Sequence, residues 1–432
     1  MADTFINLYY ELAKNINNNG SQYLYCMHDD KFYHYNGGRW EALFEVDFMG
    51  RIEESNEKLL SYPIPARKQI VENFKHIARK PMDIFNKYDG YINLKNGMLD
   101  VEFKVLHPHK PEFFSTNQLP YEYNPNAKCE LWLKTLLEIM ENDQNKINIL
   151  QEFFGLCLTK EIKHHKALLL IGESRSGKST ILHTMRHAIG VQNCSSVPLK
   201  LIDNAQHTPM LINKLVNIDT DVSSKAAEYE AQFKTITTGE PVQTNQKYVI
   251  AFEFIPYCKL VMAANIFPKI TDHSSAFYKR LIVIPCDRVF SYEEQNRDLP
   301  RLLMEELPGI LNWSIEGLLR LNARGKFEEF DFMRDALEEL ENENNPVNVF
   351  FNDYMLVEMD SYIEKGELYE YYKTWCEKTK NYTLSSARFS SCVFKKFHKN
   401  TPKTARIAEN GKRIWKNIRY SSDKASEIKW QE

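Results

Sequence analysis

Gly172-Glu173-Ser174-Arg175-Ser176-Gly177-Lys178-Ser179-Thr180 is the stretch on which the reading of this chain turns. It fits the pattern G-x-x-x-x-G-K-[ST], and each fixed position has a physical reason. The two glycines let the backbone turn so that several N–H groups converge on a β-phosphate. Lys178 places a mobile cation on the β- and γ-phosphates, and the Ser179 hydroxyl is a ligand suited to Mg²⁺. The flanks agree with this reading. Ala167-Leu168-Leu169-Leu170-Ile171 reads as a buried parallel strand, and Thr180-Ile181-Leu182-His183-Thr184-Met185 begins a helix whose N-terminus faces the phosphates. A surface turn that happened to hold two glycines would need neither flank. Residues Gly172 to Thr180 are therefore expected to bind a nucleoside triphosphate.

Bulk properties set limits around that site. A chain of 432 residues is long for one core and implies two or three domains. Apolar residues at 43% and charged residues at 26% exclude wholesale disorder. The net charge of −3 neither favours nor opposes nucleic acid, because local distribution matters more than the total. Eight scattered cysteines without a C-x-x-C pair read as reduced thiols, not as a disulfide framework or a zinc site. No apolar run reaches the length of a membrane span, and Met1-Ala2-Asp3-Thr4 does not begin a signal peptide. A soluble cytoplasmic protein with no membrane partner is expected. His107-Pro108-His109 and His164-His165 lack cysteines or acids at ligand spacing, so they read as loop and strand-flank histidines.

Along the chain, residues 1–130 read as a mixed α+β domain. Tyr23-Leu24-Tyr25 and Lys31-Phe32-Tyr33-His34-Tyr35 are candidate strands, Asn36-Gly37-Gly38 is a turn, and a helical section covers about 45–87. Tyr91-Ile92-Asn93-Leu94 and Met98-Leu99-Asp100-Val101 form short strands around Asn96-Gly97, and the Pro-rich stretch from His107 to Pro125 marks a boundary. Residues 131–335 then alternate helices and strands as a parallel sheet requires, with strands at 167–171, 215–218, 259–264 and 281–284. Glu338 to Asn345 reads as a polar linker ahead of a third unit at 346–420. In that unit Tyr362 to Tyr372 looks helical, and Ile414-Trp415-Lys416-Asn417-Ile418 looks like a strand.

Three downstream features narrow the class of NTPase. Leu215-Val216-Asn217-Ile218-Asp219-Thr220-Asp221 is an apolar strand ending in two carboxylates, suited to holding Mg²⁺ through water and to orienting the attacking water. A second strand runs into Asn265, which could sense the γ-phosphate or simply form a turn. Lys279-Arg280 precede the next strand, where an arginine can reach a neighbouring subunit's γ-phosphate or merely cap the strand.

Order and spacing together resemble a superfamily 3 helicase of the phage, plasmid and poxvirus primase-helicase group, within the AAA+ ATPases. Tyr91-Ile92-Asn93-Leu94-Lys95-Asn96-Gly97-Met98-Leu99-Asp100, Leu119-Pro120-Tyr121-Glu122-Tyr123 and Leu150-Gln151-Glu152-Phe153-Phe154-Gly155 resemble its signatures ahead of the loop. Phe233-Lys234-Thr235-Ile236-Thr237-Thr238-Gly239-Glu240-Pro241 resembles its additional motif, and Ala263-Ala264-Asn265-Ile266-Phe267-Pro268 its sensor. Phe277-Tyr278-Lys279-Arg280-Leu281 resembles its arginine-finger region. Three details depart from the family pattern. Lys279-Arg280 stands where the finger region often reads Arg-Arg, which puts the finger on Arg280. Ser174 and Ser176 stand where Gly and Asn are usual, and Thr220 separates two acids that are usually adjacent. Asp221 aligns best with the second acid, and the division of roles between Asp219 and Asp221 stays open.

The resemblance implies an AAA+ core with a parallel sheet, an α+β domain before it and a winged-helix-like domain after it. It also implies a replicative, ATP- and Mg²⁺-dependent DNA helicase: a homohexameric ring moving 3′-to-5′ on one strand of forked DNA, with a primase on the same or another chain. Lys247, with Gln246 and Lys234 nearby, would grip the backbone of the single strand from a channel hairpin. From Leu384 to Tyr420 ten bases face one acid, Glu409, which fits a nucleic-acid footprint as well as a solvated basic face. Two other readings compete: an ATP-switched initiator that binds DNA without unwinding it, and a small-molecule phosphotransferase. The second leaves the finger and the basic tail without a role.

Overall fold

The computed structural model describes residues 2–19, 22–55, 57–222, 230–245, 251–266, 275–344, 346–379, 381, 383–398 and 411–421. They belong to two compact units, the first running to residue 334 and the second starting at 335.

The first unit begins with α1 (Ala2–Asn15) and an antiparallel meander of β1 (Gln22–Cys26), β2 (Lys31–Tyr35) and β3 (Trp40–Leu43). The expected turn forms because Asn36 Oδ1 accepts the amides of Gly38 and Arg39, with Gly37 at φ +94°. Helices α2 (Glu45–Ser55) and α3 (Ile64–Ile77) follow, and Phe32, Phe48 and Phe74 fill the space beside the sheet, the first two stacked at 4.0 Å. A two-residue strand, β4 (Arg79–Lys80), then joins β1 in parallel.

A separate three-stranded sheet holds β5 (Tyr91–Leu94), β6 (Gly97–Asp100) and β7 (Val105–His107). Two of the signature stretches meet there. Leu119 N donates to Asn93 O at 2.8 Å, Lys95 N to Tyr121 O at 3.1 Å, and Tyr123 N to Asn96 Oδ1 at 2.9 Å. His109 Nε2 bonds Leu94 O and Asn93 Oδ1, which gives this histidine a structural place. Ile92, Leu94, Leu99 and Leu119 share one hydrophobic core with the central sheet described next.

After α4 (Glu130–Ile139) and α5 (Gln144–Cys157) comes that sheet, built from β8 (Ala167–Ile171), β9 (Cys194–Ser195) and β10 (Val216–Asp219). The helix α6 (Lys178–Ile189) links β8 to β9, and α7 (Glu230–Thr238) follows β10. A short antiparallel pair, β11 (Val242–Gln243) and β12 (Glu253–Phe254), precedes β13 (Lys259–Ala264); α8 (Ser275–Tyr278) then leads to β14 (Leu281–Pro285). The order is β14-β8-β13-β10-β9 and every pairing is parallel. Residues 167–171 are buried on both faces, as a central parallel strand requires. Helices α9 (Leu299–Glu305) and α10 (Leu307–Arg324) close the unit.

The stretch Leu150 to Gly155 earns its pattern by packing. A Cβ on Gly155 would meet Ser314 O at 2.3 Å, so only glycine lets α5 and α10 approach this closely. Glu152, 1% exposed, accepts from Arg320 at 2.8 Å and from Arg324, tying the two helices together. Removing one member of such a pair strands the others. Glu152→Ala is expected to cost ~2–3 kcal/mol, less than for a fully buried pair because both arginines keep some solvent. Chemical denaturation should read this as a lower midpoint at unchanged slope.

Helix α11 (Asp331–Asn344), which belongs to the second unit from residue 335 on, is helical across residues 338–344, where a linker was expected. Met333, Ala336 and Leu340 recur at helical spacing and are buried, while Asp335, Glu338 and Glu339 are exposed. Helix α12 (Pro346–Tyr354) leads into β15 (Met355–Glu364), followed by α13 (Lys365–Thr379), α14 (Ser386–His398) and β16 (Ile414–Tyr420). The expected helix at 362–372 is therefore strand up to Glu364 and helix only from Lys365. Tyr362, Ile363 and Glu364 pair with Lys416, Trp415 and Ile414, a partner about fifty residues away in sequence. Phe350, Tyr372, Trp375, Phe389 and Trp415 form this unit's core.

Candidate active site

The glycine-lysine loop joins the carboxyl end of β8 to α6, outside the strand ends where parallel sheets bind ligands. Gly172 (φ +156°) passes so close to the strand β14 exit that a Cβ would meet Cys286 O at 2.2 Å. Gly177, at φ +85°, is the N-cap of α6 and brings no side-chain acceptor to the first turn of the helix. The free amides of that turn and the helix dipole favour an anion there. Phe290 N donates to Arg175 O at 3.0 Å, which fixes the outer edge of the loop.

Lys178 lies in the concave side of its own loop. Its Nζ donates to Gly172 O at 2.7 Å, to Glu173 O at 2.8 Å and to Ser176 Oγ at 3.1 Å. Ser176 is buried, so the serine that replaces the usual asparagine serves as an acceptor inside the loop. Burial holds the Lys178 ammonium below the ordinary lysine value, while the Cys286 thiol and the Asp221 carboxylate pull the other way. Ser179 is exposed at the start of α6.

The two carboxylates part company in the structure. Asp219 is the last residue of β10, and its Oδ2 accepts the amide of Leu199 at 2.7 Å. Asp221 lies two residues beyond the strand, is exposed, and acts on Lys178 electrostatically. Asp219→Asn should therefore lower stability, because it weakens a charge-assisted acceptor by ~1 kcal/mol. Asp221→Asn should leave the melting temperature in place and depress turnover. Thermal melts beside ATPase rates of both variants check this sorting.

Asn265 follows directly on β13, whose last residue Ala264 pairs with Ile171 and accepts the Gly172 amide at 3.3 Å. It is thus adjacent to the loop and exposed. Arg280 is elsewhere. It precedes Leu281, which pairs with Ala167 at the opposite end of β8, and its carbonyl accepts Ala167 N at 2.8 Å. Five strand residues, roughly 16 Å, separate it from the loop of its own chain. Lys166 Nζ bonds Lys279 O at 2.7 Å and fixes the segment that carries it. Lys234 is on α7. Gln246 and Lys247 lie outside the described residues, although the base of their hairpin, β11 with β12, is present.

One feature escaped the sequence. A cleft of about 1340 Å³ opens at the amino-terminal edge of the sheet, lined in part by Asn86, Tyr88, Thr159, Lys160, Leu215 and Tyr257. It lies away from the phosphate-type loop. Tyr257 OH, deep in its wall, takes a bond from Asn86 Nδ2 and donates to Asn117 Oδ1. Its residues come from distant parts of the chain, from His28 to Asn322, so no local pattern announces it. Among the described residues no group of three or more His, Cys, Asp or Glu side chains gathers into a metal site, and no helix is long and apolar enough to cross a membrane.

Fold and site together define an α/β protein with a glycine-lysine loop on β8, an interior strand of a five-stranded parallel sheet. Comparison with known proteins adds the family. Residues 4–141 match the model described as D5 N terminal like, and 342–425 the model described as poxvirus D5 protein-like. Residues 170–280, which hold the loop, match a family of unknown function, DUF5906. The two D5-type matches, at either end of the chain, support the primase-helicase family of phages and poxviruses and a replication-related function. Among solved structures it is similar to the apo C-terminal region of NrS-1. One such chain matches at a TM-score of 0.51 and 14% identity, covering 76% of this chain and 74% of that one. A second, spanning 305–718, matches at 0.51 and 12%, covering 94% and 98%. At these identities the likeness is one of fold.

Proposed function

We propose that this chain is the ATP-hydrolysing motor of a replicative DNA helicase, an AAA+ ATPase of superfamily 3 that works as a hexameric ring and moves 3′-to-5′. The observation that carries the reading is the division of cations between the two ends of β8. Lys178 stands at the loop end with Asp221 in its field, and Arg280 stands at the other end, beyond reach of its own loop. Such a site is completed by a neighbouring copy, as in a ring.

In this mechanism Lys178 moves from the loop carbonyls onto the β- and γ-phosphates, and the α6 amides hold the phosphate oxygens. Asp221 orients the attacking water, Asn265 contacts the γ-phosphate, and a neighbour's Arg280 offsets charge in the transition state. The oxygen set of Ser179, Asp219 and Asp221 suits a hard cation, and few protein ligands are normal for Mg²⁺. Bound there, Mg²⁺ would supply charge neutralisation on the phosphates. The division into 1–130, 131–335 and 346–420, with a winged-helix-like last part, belongs to the same proposal, as do Lys247, Gln246 and Lys234 as contacts to single-stranded DNA.

The deciding experiment measures ATP turnover with and without single-stranded DNA, and unwinding of a forked duplex. Stimulation with unwinding is expected. DNA-independent turnover with intact forks would end the helicase reading, and slow turnover with tight DNA binding would favour an ATP-switched initiator.

A further inference from the structure

The antiparallel pair of β15 and β16 carries an exposed aromatic next to a cation that the proposed ATP site does not use. One face of it is core: Met355, Ile363, Trp415 and Ile418 are buried among the helices of the second unit. The other face is wet. Tyr362 is 69% exposed and sits directly opposite Lys416 in the antiparallel register. Cross-strand neighbours on one face have Cβ atoms about 5 Å apart, so ring and ammonium form one patch. Among the described residues neither side chain has a hydrogen bond, ion pair or ring contact. Lys412 and Arg419, by contrast, are engaged by Glu364 and Glu358.

Two further facts set the character of this face. The register breaks between Val357 and Tyr362, where Asp360 and Asn417 both take left-handed φ (63° and 58°) and Asn417 Oδ1 accepts the Asp360 amide. That bulge twists the strand pair next to Tyr362. Strand β16 with its approach, residues 411–421, holds Lys412, Arg413, Lys416 and Arg419 and no acid. Arg413 is exposed without an ion pair among the described residues, and it presses on Lys365, which lies over the Trp415 ring at 3.9 Å. At Tyr362 and Lys416 an anion that carries flat apolar groups would find a ring to stack on and a cation to pair with.

We propose that this face binds single-stranded nucleic acid without regard to sequence, one base stacking on Tyr362 while Lys416 contacts the adjacent phosphate. The chemistry is that of stacking platforms paired with backbone cations. A duplex would hide its base faces from the tyrosine, so the exposed ring selects for the single strand. The inference takes its class of partner from the DNA reading above but concerns residues other than those of the ATP site, and it gives the β15–β16 pair a role in holding the nucleic-acid strand.

The test uses the full chain and a fluorescent oligothymidylate, with binding followed by anisotropy across a salt series. Tyr362→Ala should weaken binding about ten-fold at unchanged salt slope, and Tyr362→Phe should keep wild-type affinity. On an oligonucleotide with abasic positions throughout, wild type and Tyr362→Ala should bind equally. Lys416→Ala should reduce the salt slope by about 0.7. Both residues are exposed, so unchanged melting curves are expected. Should wild type bind the oligonucleotide while both alanine variants bind equally well, this inference fails and the helicase reading stands. Should wild type not bind at all, the helicase reading fails with it. Equal losses on duplex, or a change of oligomeric state without a change in binding, would also overturn the single-strand assignment.

Discussion

Lys178→Ala is expected, under the proposed function, to abolish ATP turnover, lowering the rate by at least about 10²–10³-fold, the scale on which loss of a single preorganised donor acts. The expected effect is large because nothing nearby substitutes. Lys178 is the cation that the loop itself encloses, held by Gly172 O, Glu173 O and Ser176 Oγ. Its burial keeps the charge poorly solvated, so transfer to a phosphate replaces neutral acceptors with anionic ones. The fold should survive, since the lysine's partners are a loop and not the core. Stopped-time phosphate release, with a melting curve as control, measures both parts. Turnover within tenfold of wild type would remove the loop from the mechanism.

Arg280→Ala should also stop turnover, by about 10³-fold or more, yet leave nucleotide affinity nearly intact. Geometry underlies the difference. Leu281 pairs with Ala167 and Pro285 with Ile171, so Arg280 and the loop stand at opposite ends of one strand. An arginine there cannot touch its own nucleotide but can serve a neighbour. Mixing Arg280→Ala chains with Lys178→Ala chains should then restore part of the activity, because some interfaces regain an intact lysine facing an intact arginine. No recovery on mixing, or ATP binding weakened as much as turnover, would overturn the trans assignment.

Much of this site was legible in advance because its parts are local. The loop, its flanking strand and its helix are contiguous, and a run such as Ala167 to Ile171 has few conformational choices. The strands that end in Asp219 and Asn265 show themselves the same way. Roles were harder to read than positions. Asp219 and Asp221 look alike in sequence, and only the fold brings the Leu199 amide to one and the Lys178 charge to the other. Residues 338–344 look like a linker because the acids outnumber the apolar positions, yet Leu340 is buried and the segment is helix. Tyr362 to Glu364 look helical until β16 arrives from fifty residues downstream. Strand pairing is a long-range event, and local propensity does not contain the partner.

Sequence alone was enough for a phosphate-type loop on a parallel sheet, because glycine, lysine and buried-strand patterns act over a few residues. Tertiary structure decided which carboxylate takes the Leu199 amide and why Gly155 closes two helices. It also set Arg280 at the far end of β8 and Tyr362 beside Lys416. Each of these depends on residues brought together by burial of distant apolar faces, and only packing in three dimensions specifies that contact.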